Sequence, residues 1–504
     1  MTESRHRARS VSLLWLLDGI AAIPETAACV SDLTLDSREA APGSLFFALP
    51  GRQFHGLQFA AQAHERGASV VLWEPGEGAA PPVLPPSVFV AQVPGLSALL
   101  GRICDRFFQW PSAQLRIYAV TGTNGKTTCA YLLAQCLGAL GIPAAYIGTL
   151  GWGRIGALAP PSHTTPDVVN VHRQLAELKA SGVREVAMEL SSHALDQGRV
   201  AGMRFHAAAF TNLSRDHLDY HQTMQAYGEA KARLLALPGL QHIVINAGDA
   251  FGRELLHRRS ADVPLTAVWA GEGSGWLAQN TLHASALEFG PHGISMQLEG
   301  SYGEAALRIK LIGRFNAENA LVVIGCLLSS GIAMPDAVRV FAGCTPPPGR
   351  MEIIEPQVRG KPAAVIDYAH TPDALAKALG ALREHCRGGL WCVFGCGGDR
   401  DRGKRPLMGG VADELADQII VTDDNPRSED PEAITRAIVS GIKSHAARVI
   451  HDRAAAIAAA IGEANAVDLV LIAGKGHEEY QIYGNSRRGF SDRAEALRHL
   501  GAAA

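Results

Sequence analysis

RIYAVTGTNGKTT, residues 116–128, decides how the rest of the chain is read. The β-branched and apolar run Ile117 to Val120 reads as a buried strand, and Cys129 to Leu140 reads as a helix. Between them stand Gly122, Thr123, Asn124, Gly125, Lys126, Thr127 and Thr128. A strand, a Gly-rich turn and a helix wrap backbone N–H groups and a helix N-terminus around phosphates. In such a loop Lys126 reaches the β- and γ-phosphates and the Thr127 hydroxyl holds Mg²⁺. The spacing departs from the standard P-loop, whose first glycine would fall at Val120. Here only Thr123 and Asn124 separate Gly122 from Gly125. The plain alternative is a turn with a surface lysine, and the strand and helix context favours phosphate.

Downstream the same pattern recurs, a buried strand with polar residues at its C-terminal end. EVAMELSSHAL supplies Glu189, Ser191 and His193, and AAAFTNLSRDHLDYH supplies Asn212, Asp216, His217 and His221. Strands alternating with helices imply a parallel sheet covered on both faces, with ligands beyond the carboxyl ends of its strands. Glu189 could therefore bind a metal near Lys126. His217 beside Asp216 reads more readily as a structural histidine. HLDYH lacks the glutamate of a zinc-protease motif. By periodicity Lys231, in YGEAKARLL, is a solvated lysine. Leu265 to Leu311 is less helical and is expected to be antiparallel. In GRFNAENALVVIGCLL, Asn316 or Asn319 could cap the helix or reach a nucleotide.

Three prolines and Gly349 in CTPPPGRMEII mark a stiff linker, expected to be a hinge. The expected fold is α/β in three domains: an N-terminal domain over 1–110, a central P-loop-type ATPase domain with a mostly parallel sheet over 111–345, and a C-terminal Rossmann-like α/β domain over 346–504. In the first, Ser37, Arg38 and the loop at Gln53 to His55 are the binding candidates. In the third, Arg400, Arg402, Lys404, Arg405 and Arg427 stand with Asp424 and Glu478 at three separate strand ends. Arg forks grip carboxylates and carboxylates accept from ammonium, so the set resembles a clamp for an amino acid zwitterion.

The chain has 504 residues, 47% hydrophobic and 19% charged, which is ordinary globular composition. A net charge of −3 offers no basic field for nucleic acid. Nine cysteines without metal or disulfide spacing fit a reducing cytosol. No apolar run is long enough to span a membrane, and Asp18 interrupts the signal-like N-terminus, where an amphipathic first helix is expected.

Taken together, TGTNGKTT, MELSSHALDQGR, FTNLSRDHLDYH, GRFNAENA, PPGRME, DYAHTPDAL, GDRDRGKRP, DNPR and AGKGHE resemble the Mur ligases, the ATP-dependent amide-forming enzymes of bacterial peptidoglycan synthesis. Within that family the chain looks like the members adding the third amino acid. DNPR, Asp424 to Arg427, resembles the members that use meso-2,6-diaminopimelate, whose distal carboxylate Arg427 can grip and lysine lacks. The resemblance implies that Gly122 to Thr128, Asn316, Arg350 and Asp367 bind ATP. It implies magnesium held by Thr127, Glu189, His217 and an N-carboxylated Lys231, with Lys126, Glu189, His217 and Lys231 serving catalysis. Leu35, Ser37, the loop Arg52 to Phe54, Thr164, Thr165, Ser191, Gln197 and Arg199 match the UDP-sugar peptide site, and His163 stands where a familiar member has Asn. Arg400, Asp424, Asn425, Pro426, Arg427, Gly474 and Glu478 match the diaminopimelate site.

The implied reaction activates the D-glutamyl γ-carboxylate as an acyl phosphate, which the amino acid's amine then attacks. The implied partners are small molecules, with no nucleic acid and no membrane insertion, and the expected protein is a cytoplasmic monomer. The alternatives are a lysine-adding member, a ligase like folylpolyglutamate synthetase, and a nucleotide-binding switch without ligase activity.

Overall fold

A computed structural model of the chain describes residues 10–51, 54–76, 78–161, 163–258, 262–273, 278–290, 293–444 and 446–501, with Asp219 described in its main chain only. Arg52 and Gln53 of the expected sugar loop lie outside the described residues. Two compact units result: Met1–Lys126 with Gly141–Ile243 and Arg258–Pro264, and Thr127–Leu140 with Val244–His257 and Leu265–Ala504. The expected cuts at 110 and 345 fall inside these units. One reason is packing: Leu13, Leu16, Leu100 and Ile103 share a core with Val168 and Val169 of the helix Val168–Ala180. Arg173 of that helix also donates to Leu33 O at 2.6 Å and to Asp32 Oδ1 at 2.9 Å.

In the first unit, Asp32–Thr34, Ser44–Ala48, Val70–Trp73 and Phe89–Gln92 form a parallel sheet in chain order. The expected strand Leu45 to Leu49 is thus shifted by one residue. The expected amphipathic first helix is Leu13–Leu17, five residues after the short strand Val11–Ser12, with Leu13, Leu16 and Leu17 buried and Leu14 and Trp15 exposed. The same unit holds four parallel strands side by side, Ala144–Gly148, Glu185–Glu189, Arg116–Thr121 and Ala207–Phe210. Their register pairs Glu189 with Val120 and Phe210 with Thr121. Parallel register brings the three C-terminal ends to one edge, where the loop at Gly122, Leu190–Ser191 and Thr211–Asn212 begin.

In the second unit, Leu265–Ala270 runs parallel to Asn280–Gly290, and Gly293–Gly300 and Ala305–Ile309 continue antiparallel. The expected antiparallel stretch therefore starts one strand late. A second sheet orders Glu352–Ile354, Ala363–Asp367, Leu469–Ala473, Leu390–Phe394, Gln418–Val421 and Arg448–Val449, parallel except at the first edge. Apolar cores line both of its faces, one around Val365, Leu471 and Phe394 and the other around Ile366, Ile472 and Val393. That alternation is period two read on a doubly covered sheet. Thr371 and Asp430 cap the helices Pro372–His385 and Pro431–Val439, each with proline at the first turn. The Pro-rich linker is tied down at both ends: Gln135 Nε2 donates to Thr345 O at 2.8 Å, and a Cβ on Gly349 would strike the backbone of Gly476 and His477. Among the described residues no helix is long and apolar enough to cross a membrane.

Candidate active site

The Gly122 loop is held from the exit of the neighbouring strand. Thr211 Oγ1 donates to Asn124 O at 2.6 Å, Asn124 N donates to Asn212 Oδ1 at 3.0 Å, and Thr123 N donates to Asn212 O at 2.8 Å. A Cβ on Gly122, at φ +152°, would collide with Thr211 Oγ1, so this close approach requires glycine. The helix Lys126–Ala139 opens directly from the loop, with Thr127 buried in its first turn and Thr128 beside it. The Lys126 Nζ folds back on the loop and donates to Gly122 O at 2.9 Å and to Thr123 O at 2.8 Å.

Lys231 is not solvated. It is 1% exposed on the helix Met224–Ala232, and its Nζ donates to the same Gly122 oxygen at 2.7 Å, above the Tyr227 ring. Burial, then the Lys126 ammonium, pushes Lys231 well below the ordinary lysine value. A neutral amine is the form that adds CO₂ to give a carbamate.

Glu189 is fully buried at the end of its strand. Its carboxylate accepts from the Tyr146 hydroxyl, from Thr149 N at 2.8 Å and from Thr149 Oγ1 at 3.3 Å. A Cβ on Gly148 would strike that carboxylate. The geometry orders an oxygen donor, which suits a hard divalent cation that keeps water and phosphate as its other ligands.

A continuous chain of bonds leaves Glu189. Thr165 Oγ1 donates to Glu189 O at 2.8 Å and accepts from Ser191 N at 3.1 Å. Arg199 donates to Thr165 O at 2.9 Å and forks onto Gln197 Oε1 at 2.8 and 3.0 Å. Gln197 Nε2 donates to Tyr220 OH at 3.1 Å, and the Thr149 and Thr164 hydroxyl oxygens stand 3.2 Å apart in hydrogen-bond contact. Thr164, Thr165, Ser191, Gln197 and Arg199 are thus one network, although the sequence spreads them over 36 positions. His163 is exposed beside it. Ser37 is buried in the short 3-10 turn Ser37–Glu39 that follows the first strand of the N-terminal sheet, its hydroxyl donating to Gln62 Oε1 at 2.6 Å, and Leu35 is partly buried against that sheet's core. His217 is half-exposed at φ +52°, its Nε2 3.4 Å from Asp216 Oδ2 and its ring edge-on to His193.

The second unit holds the other residues. Asn316 caps nothing: Gly313 is the N-cap of Arg314–Ser329, while Asn316 Nδ2 donates to Ile312 O at 2.8 Å and Asn319 Nδ2 donates to Asn316 Oδ1 at 2.9 Å. Arg350 stacks over the Tyr368 ring, and among the described residues its buried Nε has no hydrogen-bond partner. Asp367 accepts from Met351 N and Ala369 N, each at 2.9 Å, yet burial raises its carboxyl against the pull of Arg350.

Three parallel strand ends bring together Gly474 and Glu478, Asp424 to Arg427, and the loop 395–403. Asn425 Nδ2 donates to Glu478 Oε2 at 3.0 Å, and Arg427 donates to Gly398 O at 2.7 Å from a backbone at φ +53°. Buried Arg405, in the first turn of the helix Lys404–Leu415, forks onto Glu429 at 2.9 and 3.0 Å and locks that helix start to the DNPR loop, whereas Arg400 stays exposed. Thr211, Tyr146, Thr149, Glu429 and Lys475 carry this architecture and were not singled out from sequence. Thr149, Thr211 and Lys475 stand just past strand ends, whereas Tyr146 is mid-strand and Glu429 lies farther along its loop.

A parallel sheet ending in a Gly-rich loop, with a buried lysine against that loop, defines an α/β protein of the phosphate-binding class. Residues 30–108 match the family described as Mur ligase family, catalytic domain, residues 120–327 the Mur ligase middle domain, and residues 349–476 the Mur ligase glutamate ligase domain. The chain belongs to the Mur ligase family. It is 49% identical over 95% of its length to the UDP-N-acetylmuramoyl-L-alanyl-D-glutamate–2,6-diaminopimelate ligase of Ectopseudomonas mendocina, covering 96% of that protein. With the same-named ligase of Xanthomonas campestris pv. campestris it shares 48% over 98% of both chains. A solved structure of a ligase with that name superposes with a TM-score of 0.72 at 35% identity, covering 98% of this chain and 99% of that one. A folylpolyglutamate synthase of Mycobacterium tuberculosis shares the fold, with a TM-score of 0.59 at 18% identity over 75% of this chain and 92% of that one.

Proposed function

We propose that the protein joins meso-2,6-diaminopimelate to the γ-carboxylate of UDP-N-acetylmuramoyl-L-alanyl-D-glutamate, converting ATP to ADP and phosphate. The observation that carries this reading is the near full-length likeness to ligases of that name. The Asp424–Arg427 segment supports it with an arginine fork and carboxylates on neighbouring loops.

The D-glutamyl carboxylate attacks the γ-phosphorus of ATP, the bond to ADP breaks, and an acyl phosphate forms. The amine of diaminopimelate attacks the acyl carbon, loses a proton, and phosphate leaves with the C–O electron pair. Lys126, released from its carbonyls, offsets charge on the transferring phosphoryl group. Thr127, Glu189, His217 and carboxylated Lys231 would hold Mg²⁺, which when bound supplies charge stabilisation at the phosphates. Asn316, Arg350 and Asp367 are proposed ATP contacts. Leu35, Ser37, Thr164, Thr165, Ser191, Gln197 and Arg199 are proposed contacts to the UDP-sugar peptide. The proposal keeps three functional segments, 1–110, 111–345 and 346–504, acting as a cytoplasmic monomer on small molecules.

The test is phosphate release with ATP and the UDP-dipeptide, comparing meso-diaminopimelate with L-lysine. Diaminopimelate should be strongly preferred. Arg427→Ala should raise its KM about 30-fold or more, the loss of a charge-assisted pair, with the KM for ATP unchanged. Equal use of both amino acids would overturn the specificity, and release that ignores both would overturn the ligase reading.

A further inference from the structure

Lys475 lies inside the AGKGHE segment and has no solvent exposure. Its Nζ donates to Asn425 Oδ1 at 3.1 Å and to Asp424 Oδ1 and Glu478 Oε2 at 3.3 Å each. An ammonium withdrawn from water is costly unless paired, and pairing to three groups fixes the geometry of all three. The buried cation nearby, Arg453, is already matched by Asp492 at 2.7 and 2.8 Å. Asp424, Glu478 and Lys475 together therefore keep one net negative charge. That charge has a direction. Asp424 Oδ1 is taken by Lys475, while Oδ2 faces Gly474, where a Cβ would stand 3.6 Å away.

We infer that Lys475 is a positioning residue for the amino acid substrate: it fixes Asp424, Asn425 and Glu478 and leaves the Asp424 Oδ2 side with the charge of one missing ammonium. The inference rests on the reading of this loop cluster as the amino acid site. Without Lys475 the two carboxylates face one amide with only the Arg453 guanidinium, already bonded to Asp492, as a nearby counter-charge, and repulsion turns the acceptors away from the geometry a substrate ammonium meets. With it the acceptor is set before substrate arrives, so less ordering remains for binding.

The experiment is steady-state kinetics of the full chain and of Lys475→Met, varying diaminopimelate at saturating ATP and UDP-dipeptide. A KM for diaminopimelate raised about 30-fold or more, with the KM for ATP within about threefold and kcat at saturation within about fivefold, supports the inference. Lys475→Arg, keeping charge but not the compact ammonium, should sit between the two. A diaminopimelate KM unchanged in Lys475→Met overturns it, as does an equal rise for ATP and amino acid, which marks a structural role. Should Lys475→Met not accumulate as folded protein, Lys475→Arg decides alone, and an unchanged amino acid KM overturns the inference. Wild-type protein that turns over no amino acid refutes the substrate reading instead, before any variant is compared. If wild type prefers another amino acid, the same comparison is run with that one.

Discussion

The Lys231 amine is buried against the main-chain oxygen of Gly122. Its spacing on Met224–Ala232 looks solvated, and what buries it is a carbonyl 109 residues away. No local pattern encodes such a partner, so only the resemblance pointed to it. Its depressed value has a measurable consequence. An unfolded lysine holds its proton up to about pH 10.4. Between the lowered folded value and that limit the unfolded state binds more protons, so stability rises with pH, by at most about 1.4 kcal/mol per unit. Below the folded value both states are protonated and the slope vanishes. Urea unfolding at several pH values in CO₂-free buffer should show this slope, and Lys231→Met should flatten it. Bicarbonate should abolish the difference at neutral pH if the carbamate forms. The left-handed backbones at His217, Asp399 and Arg427 are a further residue-scale clue, since non-glycine residues hold φ near +53° only where surroundings over-determine them.

Strands and loops were far more legible. The buried strand before the Gly-rich turn was expected over Ile117 to Val120 and spans Arg116–Thr121; the helix expected from Cys129 begins at Lys126. Such boundaries follow from hydrophobic runs and turn chemistry, which are local. What loops do to each other was illegible, because it depends on strand order. The loop 395–403 and the DNPR loop leave adjacent strands, and Arg405, in the helix that follows the first loop, ties to Glu429 across 24 positions. The Arg405 guanidinium holds the Glu429 carboxyl down to about 2. The sign follows: this stabilisation is complete above the unfolded value of about 4.3 and is lost as pH falls from there toward 2. Glu429→Gln should therefore lower the wild-type melting temperature at pH 7 and converge with wild type at acid pH. It should also weaken diaminopimelate use, because Arg400 and Arg427 lie on the two loops that the pair joins. Thermal scans between pH 3 and 7, together with amino acid KM values, check both outcomes.

At the scale of the whole molecule, the distribution of thiols reports how completely the two units bury their interiors. Of nine cysteines, Cys29 is exposed, Cys386 is intermediate and the other seven are buried. Burial raises Cys104, Cys326, Cys392 and Cys396, and a neighbouring thiol helps raise Cys136, whose sulfur lies 3.4 Å from that of Cys344. Raised thiols are poor nucleophiles. A thiol-reactive chromogenic disulfide should label one cysteine fast, a second slowly and seven only on unfolding. Early labelling of Cys136 or Cys344 would mean that the second unit opens locally near the linker. Composition had anticipated free cysteines but not their depth, which is set by packing between elements distant in sequence.

The Gly122 oxygen that receives both Lys126 and Lys231 belongs to the peptide, and no substitution at position 122 deletes it. The side chains that meet the loop, Thr211 and Asn212 among them, are ones that drift can exchange. Divergence within this fold can therefore alter which amines converge on that point, while the point itself is inherited with the backbone path.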